Sequence, residues 1–170
     1  MLTRVSASSW FCRYQNPVVD TDFPDPGVFY DRDHSTWYAY GTNSNGKNIQ
    51  VASSQDFCSW RSHKEDALPG PHPPWTGVPG FNWAPEVVKA PGGRPGYLMY
   101  VSVKDRSTDK MSIGVAYSQQ SPVGPFHFVS QGPLVSRVSI ARTPSFRISG
   151  TDVHCFLGRN GRMYRPMPIH

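Results

Sequence analysis

Two stretches of the chain repeat each other at a constant offset. The first unit opens with Asp25-Pro26-Gly-Val-Phe-Tyr30, continues through Trp37-Tyr-Ala-Tyr-Gly-Thr42 and Ile49-Gln-Val-Ala-Ser-Ser54, and closes on Asp56-Phe-Cys-Ser-Trp60. The second opens with Ala84-Pro85-Glu-Val-Val88, continues through Tyr97-Leu-Met-Tyr-Val-Ser102 and Ile113-Gly-Val-Ala-Tyr-Ser118, and closes on Gly124-Pro-Phe-His-Phe128. Both contain Ile-x-Val-Ala-x-Ser, and the step from Pro26 to Pro85 equals the step from Tyr38 to Tyr97. A further step of the same length reaches Pro144 in Thr143-Pro-Ser-Phe146. Each unit offers short runs of Val, Ile, Tyr and Phe broken by turn residues, the signature of small antiparallel strands. A four-stranded sheet repeated radially is a propeller blade. Blade repeats usually run to about 40–50 residues, so the longer step here implies blades with added loops. The proline-rich stretch from Leu68 to Asn82 is the clearest insertion. A β-sandwich, which also shows regular strands, is the alternative.

Composition agrees with short strands and frequent turns. Aromatic residues make up 13% of the chain and charged residues only 17%, and 17 prolines and 15 glycines argue against a helical bundle. No apolar run approaches the length of a membrane span. The formal net charge of +5 raises the question of nucleic acid, but its distribution answers it. Residues 1–130 balance 11 basic against 11 acidic residues, whereas residues 131–170 hold six arginines and one acid, Asp152. A nucleic-acid surface interleaves basic residues and aromatics on a folded face. Here the excess sits in the segment with the weakest strand pattern, so no nucleic-acid partner is expected.

Cys12, Cys58 and Cys155 form no C-x-x-C pair and have no histidine cluster, so no metal site is expected. The odd count leaves at least one thiol unpaired within the chain. The amino terminus lacks the apolar stretch of a secretory signal, and a mis-drawn start would also account for that; localisation stays open. The six histidines are scattered, no G-x-S-x-G nucleophile elbow is present, and no phosphate-binding glycine loop appears. No cofactor is expected.

Five motifs in order resemble glycoside hydrolase family 43. They are Asn16-Pro-Val-Val with Asp22-Phe-Pro-Asp-Pro-Gly-Val28; Trp37-Tyr-Ala-Tyr-Gly-Thr42; Ser53-Ser-Gln-Asp-Phe57 with Trp60; Asn82-Trp-Ala-Pro-Glu-Val87; and Ser121-Pro-Val-Gly-Pro-Phe126. The resemblance covers residues 16–135. It implies an all-β, five-bladed propeller, of which this chain holds about two and a half blades. Invertase-like relatives share an early Asp, but their Asn-Asp-Pro-Asn and Glu-Cys-Pro motifs are missing here. The family hydrolyses arabinofuranosides, xylosides and related plant cell-wall sugars with inversion. The expected partner is therefore a carbohydrate. Three segments follow: an extension over 1–15, two blades over 16–135, and an incomplete or aberrant third blade over 136–170, expected to be the least ordered.

The resemblance makes Asp25 the general base. An inverting enzyme activates water on the sugar face opposite the leaving group, so a carboxylate must point into the pocket. Pro26 is expected to push Asp25 towards an extended conformation. An Asp-Pro pair also opens ordinary turns, and Asp20 and Asp22 lie nearby. By the same resemblance Trp83 lines the pocket, with Trp75 and Phe81 flanking it, although aromatics more often serve the core. Glu86 is expected to have a salt-bridge or strand-end role. The third blade of the family opens with an Asp that tunes the general acid; here that position is Thr143. The acid itself, a Glu of the fourth blade, has no counterpart in the chain, so the chain by itself is expected to be nearly inert on ordinary glycosides. An altered reading frame or truncated gene is the favoured explanation, a shortened paralogue the rival. A non-catalytic sugar-binding module and a non-functional fragment are the alternative functions.

Overall fold

The structure, a computed structural model, describes residues 15–77, 81–138, 144–149, 152–157 and 162–164. Every regular element among them is a β-strand. The first sheet runs β1 (Gly27–Asp31), β2 (Thr36–Gly41), β3 (Gln50–Ser54) and β4 (Arg61–Ser62) in sequence order. The second runs β5 (Asn82–Lys89), β6 (Tyr97–Asp105), β7 (Lys110–Ser118) and β8 (His127–Phe128), with β9 (Val135–Val138) also paired to β7. The third holds β10 (Pro144–Ser149), β11 (Asp152–Leu157) and β12 (Arg162–Tyr164). All pairings are antiparallel. The order within each sheet is the up-and-down meander of a propeller blade.

The second sheet carries the fifth strand β9, which takes the part of the β7 edge that β8 leaves open. The third sheet lies where the sequence pattern is weakest. The expected poor packing over 136–170 concerns side chains that lie outside the described residues.

The strands also refine the repeat. Phe29 of β1 pairs with Tyr38, and Val88 of β5, one repeat after Phe29, pairs with Leu98. Tyr97 pairs instead with Lys89. The structural equivalent of Tyr38 is therefore Leu98, one position beyond the match made by tyrosine identity. A one-residue slip in a strand exchanges its two faces. Tyr38 accordingly faces the second sheet from the first, while Tyr97 faces the first sheet from the second.

The main core fills the space between these two sheets. Tyr38, Tyr40 and Val51 of the first meet Val87, Tyr97, Met99 and Val101 of the second. Leu98, Tyr100, Ile113 and Val115 build a second cluster on the other face of sheet two. Burial on both faces explains why β6 reads as a nearly unbroken apolar run, Tyr97-Leu-Met-Tyr-Val. Phe126 is fully buried and Tyr40 donates its hydroxyl to Pro122 O at 2.7 Å, so the loop before β8 is anchored to the first sheet.

Asp31, at the end of β1, is fully buried. Its carboxylate accepts hydrogen bonds from the Tyr97 hydroxyl at 2.7 Å and the Asp33 amide at 3.1 Å, and lies 2.7 Å from His34 Nδ1. Burial pushes the carboxyl up, but the hydrogen bonds from Tyr97, His34 and Asp33 outweigh it, and the group titrates below its ordinary value. The stability it contributes is therefore present above the unfolded carboxylate value of about 3.9 and is lost as pH falls through the lower folded value. We expect Asp31→Ala to cost about 1–3 kcal/mol at neutral pH, because the Tyr97 hydroxyl loses its buried acceptor. The difference from wild type should shrink in urea melts at pH 3, and a deficit that is the same at both pH values would contradict this account.

Candidate active site

Asp25 and Pro26 lead into β1, and Ala84 and Pro85 lie one repeat later within β5. Asp25 is not extended: its φ is 47°, and that of Ala84 is 44°. Both residues before the prolines thus sit in the left-handed region, so the repeat extends to backbone conformation. A residue before proline is kept out of the right-handed helical region, and Asp tolerates the left-handed one better than most. Ala84 has no such tolerance, and its conformation costs on the order of 1–3 kcal/mol. The register shift between Trp83 and Glu86 marks the bulge that accommodates it.

Thr42, the residue after β2, joins the two openings. Its hydroxyl donates to Asp25 Oδ2 at 3.4 Å and accepts the Ala84 amide at 3.0 Å, while its own amide donates to Pro24 O at 2.9 Å. Asn82 fixes the same seam. Its side chain donates to Asn48 Oδ1 at 3.1 Å, its amide donates to Asn43 Oδ1 at 3.3 Å, and its carbonyl accepts the Asn43 amide at 3.1 Å. Thr42 and Asn82 are both buried. The Asp25 side chain remains exposed, so its carboxylate is held on one side and open to water on the other.

Trp83 follows Asn82 directly. Its ring lies 5.9 Å from that of Phe81 at an interplanar angle of 51°. Phe81 is 37% exposed, and Lys104 Nζ sits 5.4 Å from its centroid. The ring of Trp75 is used elsewhere: it packs edge-on against Phe128 at 5.9 Å, and its Nε1 donates to Ser130 O at 3.2 Å. Asp22 accepts the Ser44 hydroxyl through its carboxylate and the Asn45 and Gln50 side-chain amides through its carbonyl. That set of bonds ties the entry loop to the β2–β3 turn. Glu86 stands opposite Tyr100 in the β5–β6 ladder. Among the described residues no group of three or more His, Cys, Asp or Glu could hold a metal ion.

Sequence reasoning missed Thr42 and Asn82 as organisers of this seam. Both end or begin strand motifs that were visible, but their partners come from the other sheet, and spacing along the chain carries no sign of that.

A family model for glycosyl hydrolases family 43 matches residues 14–164. No curated protein matches the chain closely enough to carry an argument. Among solved structures, a thermostable family-43 glycoside hydrolase superposes with a TM-score of 0.68 at 26% identity, covering 85% of this chain and 44% of that protein. A protein assigned as an exo-β-1,3-galactanase from Bifidobacterium bifidum s17 superposes with a TM-score of 0.64 at 25% identity, covering 85% of this chain and 49% of its own. An endo-arabinase from Bacteroides thetaiotaomicron VPI-5482, at 19% identity and a TM-score of 0.58, covers 90% of this chain and 58% of its own and speaks for the fold alone. The chain therefore spans about half the length of the structures it resembles. It is all-β, a partial five-bladed propeller. With the family match running across all three sheets, the chain belongs to glycosyl hydrolases family 43.

Proposed function

We propose that this chain carries the general-base side of an inverting glycosidase site for arabinose- or xylose-containing glycans, with Asp25 as the base. One observation carries the reading: the Thr42 hydroxyl links the Asp25 carboxylate to the amide of Ala84, next to Trp83. An open carboxylate and an aromatic pair on neighbouring blade openings support the reading. In such a site Asp25 takes a proton from water as the water attacks the anomeric carbon. Trp83 offers its indole to a sugar face and Phe81 bounds the subsite. Trp75 packs on Phe128 and is assigned no contact with the sugar. The leaving oxygen needs a separate acid, at about 6.5–9.5 Å from the base in inverting enzymes. An arabinanase from Cellvibrio cellulosa complexed with arabinohexaose is among the structural neighbours; at 22% identity it speaks for the fold alone. Cys58 is disulfide-bonded, as suits a protein that matures in an oxidising compartment and meets extracellular glycans.

The test is turnover of dinitrophenyl α-L-arabinofuranoside and β-D-xyloside, whose leaving groups need little protonation. Turnover that depends on Asp25 supports the reading. Turnover that Asp25→Asn leaves unchanged overturns the base assignment. A second reading, a sugar-binding module without catalysis, draws on Thr143 standing where the family places a carboxylate. It predicts saturable binding of arabino-oligosaccharides with no turnover. Under either reading Trp83→Ala should weaken oligosaccharide binding at least about tenfold in calorimetry, given the area that an indole covers. An unchanged affinity would remove Trp83 from the site.

A further inference from the structure

The far end of β6 holds the proline-rich insertion. There β6 outruns β5, whose pairing stops at Asn82 opposite Val103. The insertion takes the ladder positions beyond: Gly77 donates its amide to Lys104 O at 2.5 Å, Arg106 donates its own to Trp75 O at 2.8 Å, and Thr76 bridges to Asp105. Lys104 also lies against Phe81, with Nζ 5.4 Å from the ring centroid. It therefore meets the insertion twice, through its backbone at Gly77 and through its side chain at Phe81. The stem of the lysine is fixed as well. A Cβ at Gly77 would lie 3.0 Å from Lys104 O and 3.3 and 3.5 Å from its Cβ and Cγ, so glycine lets the insertion close down on it. In the ladder Trp83 stands opposite Ser102, and Lys104 projects from the same face of β6 two residues further on. Trp83, Phe81 and Lys104 thus form one row, indole to phenyl at 5.9 Å and phenyl to ammonium at 5.4 Å.

Charge defines what the end of this row takes. The β6–β7 hairpin from Lys104 to Lys110 carries three basic and two acidic side chains. Asp105 is buried and serves the turn, where its carboxylate accepts the Ser107 amide and hydroxyl at 2.8 and 2.7 Å. Arg106 and Lys110 are exposed. Lys104 Nζ lies 2.7 Å from Asp109 Oδ1, and the Asp109 side chain is 84% exposed. The tip thus presents three cations against one open carboxylate, beside an aromatic pair. An ion pair so open to water is weak, and an ammonium has three donors. A second carboxylate can therefore bind Lys104 beside Asp109 or in its place, while the Phe81 ring helps to hold the ammonium. In a glycan built on pentoses, a carboxylate means a uronic acid residue. We propose that Lys104 forms a specificity subsite for the carboxylate of a uronic acid in the same glycan whose pentose Trp83 holds. Lys104 acts in this way only if Trp83 and Phe81 bound a sugar site, as proposed above.

Calorimetry with xylo-oligosaccharides that each bear one glucuronic acid branch, and with the same set after reduction of the carboxyl to an alcohol, tests this. The acidic set should bind at least about fivefold tighter, the low end for a charge-assisted hydrogen bond at an open rim. That preference should fall at least about twofold between roughly 50 mM and 500 mM salt, as screening requires. Lys104→Gln should abolish the preference and leave binding of the reduced set in place, whereas Lys104→Arg should retain the preference. Asp109→Asn removes the competing carboxylate and should raise the preference. Arg61→Gln, on the outer strand of the first sheet, removes a charge of the same sign and should leave it unchanged. Circular dichroism checks that each variant is folded; if Lys104→Gln is not, the salt dependence of the unaltered chain and the Asp109→Asn result decide. Equal affinity for the two sets overturns the Lys104 subsite and leaves the sugar site standing. Binding of neither set overturns both. A preference that survives Lys104→Gln, or that Arg61→Gln removes equally, reflects general attraction to a basic chain and overturns the subsite.

Discussion

Replacing Asp25 with Asn is expected to lower the hydrolysis of a dinitrophenyl pentoside by about 10²–10⁴-fold, the usual contribution of one positioned general base. Asn keeps the size of the side chain and can still accept the Thr42 hydroxyl, so the seam between the first two sheets should survive. What it loses is the capacity to hold the proton that water gives up. The expected pattern is therefore a fall in kcat with little change in KM or melting temperature. Azide, a nucleophile that needs no deprotonation, should restore part of the rate by direct attack. A variant that falls equally in melting temperature and activity would point to a structural aspartate. Thr42→Val separates the two roles further. It removes the donor to Asp25 and also the acceptor of the Ala84 amide, so it should lower both stability and rate, whereas Thr42→Ser should restore both.

The sequence carries the inner-strand openings well, because the signals are local. An Asp-Pro or Ala-Pro pair followed by β-branched residues marks a strand start whatever surrounds it. The Ile-x-Val-Ala-x-Ser runs became β3 and β7, and the Ser53-Ser-Gln-Asp-Phe57 motif became the end of β3 and the turn after it. Within that turn Asp56 accepts the amides of Cys58 and Ser59 at 2.8 and 2.7 Å; these backbone bonds, with Ser54, lower its carboxyl to about 2. The register within each sheet was less legible. Tyr38 and Tyr97 look equivalent by identity, yet they face opposite ways, because the β1–β2 and β5–β6 connections differ by a single position. The conformation of Asp25 was misread for a related reason. The preference of a residue before proline excludes one region and leaves two, and a tertiary contact through Thr42 accompanies the choice of the left-handed one. Trp75 shows the ordinary ambiguity of aromatics: its place in a proline-rich loop gave no sign of Phe128, far along the chain.

Gly27→Ala should be among the most damaging single-methyl additions in the protein. A Cβ at Gly27 would lie 2.3 Å from Pro85 O, 3.4 Å from Pro85 C and 3.6 Å from the Cα of Glu86. All three are backbone atoms of β5, so no side-chain rotation relieves the overlap. Relief requires the inner strands β1 and β5 to separate, and Pro85 is fully buried. Overpacking of this kind costs about 1–3 kcal/mol or more. Loss of glycine freedom in the unfolded chain offsets only about 0.4–1 kcal/mol. A net loss of about 1–2 kcal/mol follows, which for a chain of this length lowers the melting temperature by about 2–8 °C. The displacement falls close to both Asp25 and Ala84, so the hydroxyl bridge through Thr42 must lengthen as well. Turnover should therefore drop in a protein that still folds at low temperature. Gly132→Ala is the matched control: a Cβ there meets nothing within 4 Å, and its melting temperature should stay at or slightly above that of the wild type. If Gly27→Ala melts with the control, the close approach of the two inner strands does not hold the site together, and the seam must be fixed by Thr42 and Asn82 alone.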